Sequence, residues 1–524
     1  MQENTDDQLQ SLLASLEIPS EYKSLDSNSP DVITRLDSWK LASLRVLQDL
    51  KELLKIRQLT TAEKATVIAR TACYDGQGSW IAPEVHSVVT EILDDFSKPS
   101  LLVMNQLLET DVNPLFRSNP HPSLNLSTGR KLDRPAGGPM GSIDFYESQA
   151  WKAYPGAANL VFWCLRHIQT NDYGRLWHLV IPLVMTFLDD YQVPYKLKGV
   201  EMVKVLLEHV PREILKRTGV DGLILNSLNT CLAQLDDAES PRLIQAAISA
   251  SLSLTLLTTS PGTIAQFDQL CGLLGERIIG MIWLYSYDKV GVVQASVESL
   301  PPLLSALGLG CSRYLKALIP QLVHPLTPVP FKSTPIRLQL CSLRALDVVI
   351  GECSYRMSLW KGTILEAIGR CWVDMVESPS SAEDGSTRDE LRKHLRSSCE
   401  ALAKACPTVA EEEFRRLLSA DQEMFQGPSG GNRRGISDKR WSGFANPERK
   451  PRKEDFGRIH MFWDGRVPLP EDCSRVEEVD SSVPRTTWNP KTADMLAEPL
   501  RRRGSGSRAY RDLALNFNPD TDSS

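Results

Sequence analysis

One pattern returns along the middle of this chain: an apolar helix, an acidic turn, and a second helix opened by a basic residue. In its clearest copy a helix starts near Asn171-Asp172, which can cap it, and carries Leu176, Val180, Leu183 and Phe187 at spacings of 4, 3 and 4 before it stops at Asp189-Asp190. A second helix opens around Tyr195-Lys196, sets Val200, Val203 and Leu207 on one face, and is stopped by Pro211. The next copy offers Asp236 and Pro241-Arg242, a third has Asp288 with Gln294 where the base should be, and a fourth has Ile336-Arg337 without the acid. The anchors 196, 242, 294 and 337 stand 46, 52 and 43 residues apart. A helical pair cannot bury both of its apolar faces alone, so copies at such a period stack side by side into a solenoid.

HEAT repeats resemble this pair, with a proline inside the first helix, an aspartate at the turn, and a bulky residue followed by a base on the second; here these are Pro182, Asp190, Tyr195 and Lys196. The expected fold is therefore all-α, a HEAT/armadillo-like α-solenoid over residues 157–419. A fifth pair is predicted at about 362–376 and 387–405, and a last helix at about 408–419. Residues 1–110 form an N-terminal helical region. Within it Leu36, Trp39, Val46, Leu47, Leu50, Leu53 and Leu54 make one side of a helix, with Asp37, Lys40, Arg45, Lys51, Glu52 and Lys55 off it. Between them the helical period lapses over 111–156, punctuated by Asn113-Pro114, Asn119-Pro120-His121-Pro122 and Pro135-Ala136-Gly137-Gly138-Pro139. A structureless stretch of that length inside a domain is uncommon. It reads as a long irregular connection, ordered by its aromatics Phe145, Tyr146 and Trp151. Residues 420–524 read as a disordered C-terminal tail, with runs such as Gly427-Pro428-Ser429-Gly430-Gly431 and no apolar period.

Charge and cysteine usage narrow the function classes. The chain holds 59 Lys+Arg against 65 Asp+Glu, a net charge of −6. Neither nucleic acid nor an anionic membrane is its expected partner. Eleven cysteines, an odd number with no Cys-x-x-Cys, fit a reduced intracellular protein and not a disulfide framework. The polar, acidic start Met1 to Gln10 gives no signal for secretion. The uncharged run between Arg242 and Asp268 is broken by Gln245, serines, threonines and Pro261, and reads as a buried helix, not a membrane span.

Catalytic constellations are missing from the sequence. The eight histidines include no His-Glu-x-x-His, and neither a Gly-x-x-x-x-Gly-Lys-Ser/Thr loop nor a strand-borne Gly-x-Gly-x-x-Gly is found, so no metal, nucleotide or other cofactor is expected. The match Gly427, Ser429, Gly431 to a nucleophile elbow has no neighbouring strand to strain the serine. The acid and base at Asp190 and Lys196, echoed by Asp236 and Arg242 and by the lone Arg337, are expected to work structurally, the aspartate capping the next helix or pairing with a base of its own or an adjacent repeat. Trp163, Trp177 and Phe162 are expected to pack the first layers of the solenoid. In the tail, Phe456, Phe462 and Trp463 have no core of their own to join and read as a short partner-docking motif.

The segment from Ile181 to Gly199, followed by Leu215-Lys216-Arg217-Thr218-Gly219, is more particular than a general HEAT unit. A leucine-rich helix ends in a double aspartate (Asp189, Asp190), Lys196-x-Lys198-Gly199 opens the next, and Arg217-Thr218-Gly219 turns after it. In these parts the chain resembles the Tel-two-interacting protein two family, whose members are subunits of the TTT complex. The resemblance covers about residues 36–419, is strongest over 157–260, and does not reach the tail. It implies a non-catalytic scaffold that assembles with Tel-two and the first Tel-two-interacting protein. It implies further that the trimer works, through the heat-shock-protein-ninety chaperone and the RuvB-like ATPase co-chaperone, on the maturation and stability of phosphatidylinositol-3-kinase-related kinases, and that the protein resides in the cytoplasm and the nucleus. The residues alone also allow a general HEAT-repeat transport or cargo adaptor that reads basic signals on an acidic inner surface.

Overall fold

Local signals place the first helices. Thr60 begins one with a reciprocal capping box: its side chain accepts from the Glu63 amide, and the Glu63 carboxylate accepts from the Thr60 amide. Pro83 and Ser100 begin two more. The computed structural model describes residues 2–23, 30–118, 120–138, 145–146, 149–328, 334–377, 385–420 and 424, all within the unit Met1–Ile459. The N-terminal region contains α1 (Gln2–Ser15), α2 (Pro30–Ile56), α3 (Thr61–Thr71), α4 (Pro83–Asp94) and α5 (Leu101–Gln106). The last runs on into a π-helical turn, Leu107–Val112, and then α6 (Asn113–Phe116). On α2 the predicted stripe is the buried one, since Leu36, Leu47, Leu50 and Leu53 are in the core.

After α7 (Ala157–His167) the helices come in pairs: α8 (Tyr173–Leu188) with α9 (Val193–His209), then, beyond the short α10 (Arg212–Thr218), α11 (Val220–Cys231) with α12 (Ser240–Thr258). In the third pair α13 (Ile264–Cys271) continues as a π-helix, Gly272–Trp283, and packs with α14 (Val290–Glu298). In the fourth, α15 (Leu300–Leu307) and α16 (Leu315–Val323) pack on α17 (Ile336–Glu352); in the fifth, α18 (Lys361–Glu377) packs on α19 (Gly385–Ala405). The π-turn Val409–Glu413 and α20 (Phe414–Ala420) follow. The second helices α9, α12, α14, α17 and α19 pack each on the next. This is an all-α solenoid, and the anchors 196, 242, 294 and 337 fall on its first four second helices in order. The long interval of 52 between Arg242 and Gln294 is where the first helix is extended by the π-helical segment.

The N-terminal helices and the solenoid share packing. Asn159 on α7 donates to the carbonyls of Cys73 (3.0 Å) and Gln77 (3.3 Å). Gly156, at φ +83°, lies so near Cys73 that a Cβ would stand 2.7 Å from the cysteine's own. All ten cysteines among the described residues are free, nine of them buried. Burial pushes the thiols of Cys73, Cys231, Cys371 and Cys399 up to about 12. Among the described residues no single helix is long and apolar enough to cross a membrane, and one bent pair, Val290–Glu298 with Leu300–Leu326, passes that test jointly. Most of the pair's apolar side chains, among them Leu300, Leu303, Leu304, Leu318 and Leu322, are buried inside the protein, and Leu309 is exposed.

Two local expectations are corrected. Asp172 stands at the N-cap position of α8, but its side chain makes no capping bond, because the chain enters the helix through a 3-10 turn, Thr170–Asp172. Within 111–156 the structure holds a two-stranded antiparallel ribbon, β1 (Leu124–Asn125) with β2 (Arg130–Lys131), in register Leu124 to Lys131 and Asn125 to Arg130. Strands of two residues are too short to leave an alternating signature in sequence. Residues 378–384 of the loop Glu377 to Thr387, and the tail motif Phe456, Phe462 and Trp463, lie outside the described residues.

Candidate functional site

The family-like residues converge where 113–156 crosses the turn between α8 and α9. Pro182 lies inside α8 and denies it one amide hydrogen bond, and four residues later Thr186 turns its hydroxyl back to the Pro182 carbonyl at 2.8 Å. The helix ends at Leu188, leaving Asp189 and Asp190 at the turn. Asp189 holds His121, whose Nε2 donates to Oδ2 at 2.9 Å. The tautomer follows from the other nitrogen, because Nδ1 accepts from the Ser123 amide at 3.2 Å. Asp190 is 1% exposed. Its Oδ1 accepts from the Gln192 amide at 2.8 Å and its Oδ2 pairs with Lys152 Nζ at 2.6 Å. One carboxylate thus closes the turn and fastens a residue from the crossing segment.

Lys152 arrives in an aromatic cage. Its ammonium lies 4.4 Å from the ring centre of Tyr191, 4.9 Å from Tyr195 and 5.6 Å from Trp151. Trp151 is itself in the core, 4.3 Å from the Phe187 ring, 5.0 Å from Tyr195 and stacked on Phe116 at 5.8 Å. Of the three aromatics expected to order this stretch, Trp151 and Phe145 are buried, and Phe145 meets the His121 ring edge-on at 5.1 Å. Tyr146 lies against Tyr191 and remains partly exposed. Burial, with the nearby charges of Asp189 and Asp190, pushes the Tyr146 phenol up.

The Lys-x-Lys-Gly segment serves the same junction. Lys196 is buried and donates to the Leu188 carbonyl at 3.1 Å, capping the end of α8. It does not meet Asp190 directly; Lys152 takes that place. Lys198 is half-buried with its ammonium 5.7 Å from the Tyr195 ring centre, and burial lowers its pKa against the opposing pull of Glu201. Gly199 is where the two helices touch through backbone: a Cβ there would stand 2.3 Å from the Leu188 nitrogen and 2.5 Å from the Phe187 carbonyl carbon. Only glycine fits.

Arg217-Thr218-Gly219 ends α10. Gly219 takes the left-handed conformation at φ +69° that closes the helix, and the buried Thr218 hydroxyl bonds back to the Ile214 carbonyl at 2.7 Å. Arg217 points outward. Beside it the β1–β2 loop rests on α8: Trp177 Nε1 donates to the Gly129 carbonyl at 2.9 Å, and Gly129, at φ +64°, has Trp177, Ile181 and the His178 backbone within 3.1 Å of where a Cβ would be.

The other anchors sit differently. Asp236 is 89% exposed and pairs with Lys289 of the following repeat, while Arg242 pairs with Glu239 at 2.8 Å and reaches back to Glu201 on α9 at 3.9 Å. Arg337 is exposed on α17 and takes part in no ion pair among the described residues. Trp163 and Trp177 are both buried, and Phe162 is half-buried. His121 and Lys152 carry the junction, and sequence reasoning missed both. The only signals were a base beside Trp151 in an otherwise polar stretch and a histidine between two prolines. Among the described residues no group of three or more His, Cys, Asp or Glu side chains is placed to hold a metal ion. The arrangement fastens chain to chain: every charged group at the junction is committed to a partner inside the protein.

No solved structure matches the chain. The model of the Tti2 family matches residues 67–333, which take in the crossing segment, the double aspartate, the Lys-x-Lys-Gly segment and the Arg-Thr-Gly turn, and the chain belongs to the Tti2 family.

Proposed function

We propose that this protein is a non-catalytic scaffold subunit of the TTT co-chaperone complex. It assembles with Tel-two and the first Tel-two-interacting protein and supports the maturation and stability of phosphatidylinositol-3-kinase-related kinases, with the heat-shock-protein-ninety chaperone and the RuvB-like ATPase co-chaperone acting beyond it. It would do so in the cytoplasm and the nucleus. The observation that carries this reading is the family match over 67–333, a span that contains the junction of α8, α9 and the crossing segment. The fold supports it in kind, since second helices packed in series expose a continuous surface of the sort that solenoids use to bind proteins. Large apolar side chains also stand exposed at the turn between the π-helix and α14, where Leu284, Tyr285 and Tyr287 face solvent.

The test is purification of the tagged full chain from native extract at moderate and at high salt, with co-purifying proteins identified by mass spectrometry. Recovery of Tel-two and the first Tel-two-interacting protein in near-equal amount, persisting at high salt, is the expected result, because an interface with an apolar core is little screened. Their absence, with transport cargo recovered at moderate salt and lost at high salt, would replace this reading by that of a general adaptor.

A further inference from the structure

The Arg-Thr-Gly turn leaves one of its three residues without work inside the protein. Thr218 and Gly219 close α10, but the Arg217 side chain enters no ion pair or hydrogen bond among the described residues and lines a cleft of about 340 Å³. Arg130 and Thr128 of the β1–β2 ribbon line it too, with His178 and Trp177 of α8. Arg130 likewise pairs with no acid among the described residues, and no carboxylate lines the cleft, in a chain whose net charge is −6. The walls are fixed before any ligand arrives. Trp177 holds Gly129, and the Asn125 side chain accepts from the Ser127 and Thr128 amides at 3.0 and 3.1 Å, which sets the loop.

We propose that this cleft binds a phosphate monoester. Two guanidinium forks from separate elements line the one cleft, match phosphate oxygens and are without an acid among the described residues. The Thr128 oxygen accepts from the Arg130 amide at 3.4 Å, which leaves its O–H free to donate, and the His178 ring offers a further donor. Donors from the loop, from α8 and from α10 surround a tetrahedral anion better than they would a planar carboxylate. The volume lies at the small end of ligand pockets, which span about 300–1,000 Å³. It suits a phosphorylated side chain or a small organic phosphate. This inference stands apart from the TTT reading, since it needs only the cleft.

Titration calorimetry on the full chain tests it, with inorganic phosphate, glycerol phosphate, and a short phosphoserine peptide beside its unphosphorylated form, all at constant ionic strength in chloride. The wild type is expected to bind the phosphate probes and not the unphosphorylated peptide. The double variant Arg130→Ala/Arg217→Ala should weaken binding by at least about tenfold, as expected for lost charge-assisted hydrogen bonds. Arg217→Lys should fall between, and Arg337→Ala, on the exposed face of α17, should bind as wild type. Tighter binding of the phosphopeptide than of glycerol phosphate assigns the site to a modified protein segment, and the reverse order assigns it to a free metabolite. Absence of wild-type binding, or equal binding by a double variant that melts normally, overturns the proposal.

Discussion

The turn at 189–196 and the turn at 236–242 carry the same acid-to-base spacing, six residues apart, and the folded protein uses them in opposite ways. At the first, Asp190 is buried, closes its own turn and grips a lysine from a segment that has crossed over from before the solenoid. At the second, Asp236 lies in solvent and meets Lys289 at the surface. What separates them is the crossing segment. Trp151 and Phe145 exclude water from the first turn and so raise the cost of leaving any charge there unpaired. A repeat motif is thus a geometric opportunity, and its energetic weight is set by what lies on top of it.

The strongest way to break the first junction is to separate its helices. Gly199→Leu puts a side chain where the Leu188 backbone already is, and since neither backbone can yield, a loss of about 4 kcal/mol or more is expected by chemical unfolding. A variant that melted like wild type would show that α8 and α9 do not touch there. Leu183→Asp should cost a similar amount by placing an unpaired charge in a fully buried site. Asp190→Ala comes next: it strands the Lys152 ammonium in its aromatic cage and frees the Gln192 amide, for about 3 kcal/mol. Lys196→Met keeps the packed stem and loses the bond to the Leu188 carbonyl, for about 1–2 kcal/mol.

Much of this is legible in the sequence itself. The solenoid, the order of its pairs and the four anchors on successive second helices follow from apolar spacing, which the backbone period reads directly. Asp189, Asp190, Lys196 and Gly199 were marked by resemblance, and each turns out to sit at the junction of α8 and α9. Their partners were not legible. Lys152 lies 38 residues before Asp190, and His121 lies 68 before Asp189, in a stretch with no period to predict where it would land. Such pairs are decided by tertiary packing, and spacing along a single sequence is silent on them. For the same reason Asp190 and Lys196, adjacent in the pattern, suggested a bond to one another, while the structure gives each a different partner. The small ribbon β1–β2 escaped because two residues per strand carry no alternation, although Asn125 and Gly129 both have the chemistry of a tight turn.

The comparison is sharpest where the expected effect is smallest. Asp236→Ala removes the same kind of turn acid as Asp190→Ala, yet its partner Lys289 can be hydrated once released, and Asp236 itself is 89% exposed among the described residues. The change in unfolding free energy should stay within about 0.5 kcal/mol, the usual range for an exposed ion pair. Added salt should erase even that, whereas the Asp190→Ala deficit should persist, because a buried pair is shielded from mobile ions. Chemical unfolding of both variants at low and high ionic strength reads the contrast directly. Equal losses at the two turns would mean that the acid-to-base spacing itself stabilises the repeat, and that the crossing segment only decorates a junction the solenoid had already made.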